Sequence, residues 1–134
     1  IKFDFKEIEA VGPTFKVLAQ ASLTNPHNRT IFLNADVLPG PGLRNVATLD
    51  PHAFLKKCID LRQFSEEDNM LFSLSLGYKC NWDSGEGFLN VDVSTMADIA
   101  RQYNLNNSKI GLVLALNARC LSRSTDVFQP FLNE

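Results

Sequence analysis

The chain has 134 residues, 45% of them hydrophobic and 21% charged, with a formal net charge of -2 at pH 7. That is about one domain of ordinary globular composition. The near-neutral balance gives no basic footprint for nucleic acid, and no apolar run approaches the ~20 residues of a membrane span. The chain opens at Ile1, inside a strand-like run and without a charged-then-apolar leader, so an upstream segment is expected.

Four strand-like runs alternate with four helix-like runs. The first strand is Ile1 to Lys6, and Gly12-Pro13 marks the early part of the helix that follows, with Phe15, Leu18 and Ala19 at helical spacing. The second strand runs from Ile31 to Leu38 and stops at Pro39-Gly40-Pro41-Gly42. Asp50-Pro51 reads as an N-cap followed by proline at the first helical position, ahead of the stripe Phe54, Leu55, Cys58 and Ile59. Met70 to Leu76 forms the third strand, stopped by Gly77 and followed by a polar loop from Lys79 to about Asn90. Ser94 or Thr95 is expected to cap the third helix, whose apolar face is Met96, Ile99, Ala100 and Tyr103. The fourth strand is Ile110 to about Asn117. A last helix is expected around Asp126 to Leu132, its regularity limited by Pro130.

This β-α-β-α-β-α-β-α order predicts an α/β domain with a parallel sheet and helices packed on its outside. The faces of the strands separate two closures. Phe32, Asn34 and Asp36 share one face of the second strand, Ser73, Ser75 and Gly77 one face of the third, and Gly111, Val113, Ala115, Asn117 and Arg119 one face of the fourth. The opposite faces are strongly apolar. A doubly wound sheet covered on both sides is usually apolar on both. A barrel interior with polar groups at its C-terminal mouth fits this pattern better, so the expected fold is a partial TIM-type (β/α) barrel of about four βα units.

The polar strand ends form one candidate set: Asp4, Lys6, Asn34, Asp36, Ser75, Asn117 and Arg119. Inward charges of this kind are costly unless paired, hydrated or bound to an ion. A ligand site at the mouth relieves that cost. So does a plain ion pair of Asp4 with Lys6 or Lys2, with no ligand at all. Other chemistries have weaker support. His27 lies in a turn and His52 in the first turn of a helix, so neither stands at a strand end as a catalytic base. Ser73 and Ser75 lack a nucleophile elbow. The glycines of residues 39–42 alternate with prolines, which lack the N–H donors of a phosphate cradle. Trp82 reads as a loop aromatic and Glu66-Glu67-Asp68 as a solvated loop.

Cys58, Cys80 and Cys120 allow at most one intrachain disulfide, and their spacing does not suggest zinc. Two sequons, Asn28-Arg29-Thr30 and Asn106-Asn107-Ser108, fall in expected loops and mildly favour a secreted glycoprotein.

The runs Ile1-Lys2-Phe3-Asp4-Phe5-Lys6 with Glu9-Ala10-Val11-Gly12-Pro13, Phe32 through Pro41, and Ser73-Leu74-Ser75-Leu76-Gly77 resemble the menorin family. Menorin domains are similar to the phospholipase-C-like phosphodiesterases, which include the glycerophosphodiester phosphodiesterases and are TIM barrels. The resemblance implies a divalent metal, Mg2+ or Ca2+, held by carboxylates, with Asp4 as a metal ligand and Lys6 as the catalytic cation that neutralises phosphate. It also implies that histidine-bearing strands precede Ile1 and that a closing strand follows Glu134. The chain is therefore expected to be one partial domain, inactive by itself. Menorins are associated with cell-surface roles in neuronal patterning. The first expectation is thus an extracellular or membrane-associated interaction domain with a cell-surface or extracellular protein partner. The second is a metal-dependent hydrolase of a phosphodiester or lipid headgroup.

Overall fold

The structure, a computed structural model, describes residues 1–24, 30–64, 72–103 and 111–132. His27, Asn28 and Arg29, the 66–68 acidic run, Met70, the Asn106 sequon and Ile110 lie outside the described residues.

The expected alternation is present. Strands β1 (Lys2–Phe5), β2 (Ile31–Pro39), β3 (Phe72–Lys79) and β4 (Gly111–Ala115) form one parallel sheet in the order β1-β2-β3-β4. Between them run α1 (Val11–Thr24), entered through a 3-10 turn at Ile8–Ala10, then α2 (Pro51–Phe64) and α3 (Asn90–Gln102). Two short helices, α4 (Ala118–Leu121) and α5 (Thr125–Leu132), follow β4.

Local chemistry accounts for the boundaries. Pro13 is tolerated early in α1, where the first backbone N–H groups have no helical partner to lose. Asp50 caps α2, its carboxylate accepting the Ala53 N–H at 2.6 Å. The third helix corrects the expected cap. It begins at Asn90, where the Asp92 carboxylate accepts the Leu89 N–H at 2.8 Å. Ser94 and Thr95 sit inside the helix, and their hydroxyls bond back to the Val91 carbonyl. The fourth strand ends at Ala115, short of Asn117. Asn117 instead caps α4, its side chain accepting the N–H groups of Arg119 and Cys120, which turns the chain out of the sheet. The last helix extends through Pro130 to Leu132.

The apolar strand faces build the core. Leu33, Ala35, Val37, Leu74 and Leu76 are all essentially inaccessible. Helices pack on this face through Phe5 against Phe54, Phe15 against Phe72, and Tyr78 against Phe88 just ahead of α3. A parallel sheet whose strand order never reverses steps every right-handed crossover in one direction, so its helices gather on one side. The other face is left to the polar row.

Candidate functional site

Strand register sets that row. Asp4 is paired with Asn34, Asn34 with Ser75, and Ser75 with Val113. An ionised Asp4 can only accept hydrogen bonds, so Asn34 must turn its amide N–H toward it, and Nδ2 donates to Asp4 Oδ1 at 2.7 Å. That orientation presents the Asn34 carbonyl to the next strand. Ser75 Oγ donates to it at 2.7 Å. The result is a one-way chain, Ser75 to Asn34 to Asp4, with Ser75 and Asn34 buried and Asp4 half-exposed at its outer end.

Lys6 completes the arrangement. Its ammonium stands 2.9 Å from Asp4 Oδ2 and 3.6 Å from Asp36 Oδ2. Partial burial favours the neutral acid at Asp4, but the hydrogen bonds from Lys6 and Asn34 and the charges of Lys6 and Lys2 outweigh it and hold the carboxyl below its ordinary value. The hydrogen bond to Asp4 raises the Lys6 pKa, against partial desolvation and with help from the charge of Asp36. Gly77 makes room for Asp36, since a Cβ there would meet Asp36 Oδ1 at 2.7 Å.

An open cleft of about 220 Å³ adjoins this group at the C-terminal ends of β1, β2 and β3, lined by Phe5, Lys6, Asp36, Ala47, Thr48, Leu49 and Lys79. This is the end of a parallel sheet at which ligands are bound in α/β folds. Two bonds hold its 47–49 wall, from Thr48 Oγ1 to the Val37 carbonyl at 3.0 Å and from Lys79 Nζ to the Ala47 carbonyl at 3.5 Å.

Five of the seven candidate residues therefore meet: Asp4, Lys6, Asn34, Asp36 and Ser75. Asn117 is engaged as a helix cap, and Arg119 reaches Asp83 at 3.4 Å on the exposed surface. Trp82 is half-exposed in the same loop. His52 contacts Tyr103, ring nitrogen to hydroxyl, at 3.2 Å. Both Asp4 oxygens face N–H donors, and among the described residues no three His, Cys, Asp or Glu side chains form a metal-ligand group. As arranged here, these side chains do not fit a divalent cation unless Lys6 is displaced from Asp4.

Sequence patterning missed a clasp between Arg44 and the start of α3. Arg44 Nη1 meets both oxygens of buried Asp92, at 2.7 and 3.0 Å, and Nη2 donates to the Gly87 carbonyl. Glu86 lies 3.5 Å from Arg44 Nε and accepts the Gly42 N–H. Asp92 falls ahead of the helix start expected from the sequence, and its partner is 48 residues away.

A parallel α/β domain with a polar row and a lysine-flanked cleft at the C-terminal end of its sheet belongs to a large architectural class. The chain matches the Menorin N-terminal domain over residues 1–134, and it belongs to that family. No solved structure matches it. No helix among the described residues is long and apolar enough to cross a membrane.

Proposed function

We propose that this chain is a menorin-type interaction domain, acting outside the cell or at its surface, built on half of a (β/α) barrel inherited from a phosphodiesterase. The sequential parallel order and the segregation of apolar and polar strand faces support the barrel ancestry. The observation that carries the binding role is the closed polar chain Ser75–Asn34–Asp4–Lys6. Its donors and acceptors are matched to one another, an arrangement that shapes and rigidifies a surface. A protein partner meeting the cleft would find Lys6, Lys79 and Asp36 as polar anchors, and Arg119 and Trp82 as candidates farther out. The two sequons agree with an extracellular setting.

A second reading is a metal-dependent phosphodiesterase acting on a phosphodiester or lipid headgroup. It is favoured by the pair of lysines at the cleft. It requires Mg2+ or Ca2+ at Asp4, with Lys6 displaced and further ligands from outside the described residues.

The test uses the labelled full-length protein on intact cells, beside an assay of glycerophosphodiester hydrolysis with Mg2+ or Ca2+. Saturable binding that is lost when surface proteins are digested, and weakened at least tenfold by Lys79→Glu, is the expected outcome. Turnover that disappears in Asp4→Ala would overturn the binding role in favour of the enzyme. Binding that survives protease treatment would overturn the protein partner.

A further inference from the structure

Three cysteines leave the pairing open by count alone, and all three stand as free thiols in the structure. Cys58 lies on α2 among core side chains, and burial alone pushes its thiol up to about 12. Cys80 follows the last residue of β3, and Cys120 lies wholly buried in α4. Cys120 is close enough to Cys80 to add to the upward push of burial on its thiol, and the Cys80 thiol donates to the Tyr78 carbonyl at 3.5 Å.

Independent contacts hold the two segments together. Arg119 reaches Asp83, Arg123 Nη1 donates to the Trp82 carbonyl at 3.2 Å, and the Phe88 N–H donates to Ser124 Oγ at 2.8 Å. Gly40 is needed on the other side of Cys80, because a Cβ there would come within 2.7 Å of its sulfur. The segments that carry Cys80 and Cys120 are thus fixed against one another.

We propose that Cys80 and Cys120 are joined by a disulfide in the mature protein, pinning the end of β3 to α4 and leaving Cys58 a free buried thiol. The oxidant is a small disulfide of the glutathione class. The Cys80 thiolate attacks one sulfur of oxidised glutathione, forming a mixed disulfide and releasing one glutathione thiolate. The Cys120 thiolate then attacks the Cys80 sulfur and releases the second. Two protein thiols lose their protons, one disulfide forms, and the two electrons leave on two reduced glutathiones. Cys120 is wholly buried and so out of reach of the oxidant once the chain is folded, and burial also pushes the Cys80 thiol up. The bond therefore forms during folding and acts as a structural staple. It would close a loop of about forty residues, enough to remove substantial freedom from the unfolded chain.

The experiment refolds the full-length protein in a glutathione redox buffer, blocks free thiols by alkylation, and maps the digest by mass spectrometry. A Cys80–Cys120 cross-linked peptide with Cys58 alkylated is expected, unchanged in Cys58→Ala. A cross-link involving Cys58, or three alkylated cysteines after refolding with oxidised glutathione, would overturn the proposal. Thermal unfolding gives a second measure. Reductant should lower the midpoint by several degrees in the unsubstituted protein and in Cys58→Ala, but not in Cys80→Ser; a midpoint indifferent to reductant in the unsubstituted protein would overturn the staple.

Discussion

Asp4 and Asn34 are register partners across β1 and β2, and the Asn34 amide donates to Asp4 Oδ1 over 2.7 Å. The pairing makes Asn34 the hinge of the polar row, because its carbonyl also takes the Ser75 hydroxyl. Asn34→Ala would strand two partners at once. It should lower unfolding free energy by about 2 kcal/mol, against ~1 kcal/mol for Ser75→Ala, which removes one neutral bond. Urea denaturation of both variants checks the ranking; equal losses would mean that the bond to Asp4 adds nothing.

Gly77 serves the row from its far end. Its added Cβ would collide with Asp36 Oδ1 at 2.7 Å while meeting Ala115 Cβ at an ordinary 3.5 Å. The carboxylate must therefore swing, and the contact from Lys6 to Asp36 is the one lost. Gly77→Ala should cost about 1 kcal/mol, and the cost should shrink when Asp36 is also replaced by alanine. A double-mutant cycle measures the coupling; strict additivity would mean that Asp36 does not yield to the new methyl.

The row was legible because strand periodicity is short-range. Asp4, Asn34 and Ser75 each alternate with apolar neighbours, so their face follows from the sequence, and parallel pairing then aligns them. What failed was extrapolation past a strand end. Asn117 continues the alternation of Gly111, Val113 and Ala115 on paper, yet its carbonyl oxygen finds the N–H groups of a new helix turn. The start of α3 was misplaced for a related reason. Ser94 and Thr95 are good caps by type, but the Asp92 carboxylate reaches the Leu89 N–H first. The Arg44–Asp92 clasp depends on a loop meeting the first turn of α3 in space, and no local pattern encodes that.

The Asp4–Lys6 contact should write itself into the pH profile. The folded pKa of Asp4 is depressed, so its contribution is present above the unfolded value of ~3.9 and is lost as pH falls through the lower folded value. The folded pKa of Lys6 is raised, so its contribution is complete below ~10.4 and is lost as pH rises through the higher folded value. Both side chains are well exposed, so the effect is modest and screened by salt. Thermal midpoints from pH 2 to 5 should fall less steeply in Asp4→Asn than in the unsubstituted protein. Identical slopes would place the acid sensitivity elsewhere.

Arg44 and Asp92 pose the opposite electrostatic case. Asp92 is 7% exposed, so its carboxylate depends on the guanidinium and on the Leu89 N–H for what water would otherwise supply. It also stands in the first turn of α3, where a negative charge complements the helix dipole, and its own carbonyl accepts the Tyr78 hydroxyl at 2.7 Å. Arg44→Met keeps much of the aliphatic stem but leaves the buried carboxylate without its cation. The loss should be about 2–3 kcal/mol, below the full cost of breaking a buried pair because Arg44 is 31% exposed. Asp92→Asn should cost less, since an amide oxygen still accepts from Leu89 and no unpaired buried charge remains. The difference between the variants should be less sensitive to salt than the effect at Asp4, because a pair with a buried carboxylate is screened much less than an exposed one. Denaturant titrations of both variants at low and high salt decide it: if Asp92→Asn is the more damaging, the helix-end charge outweighs the clasp.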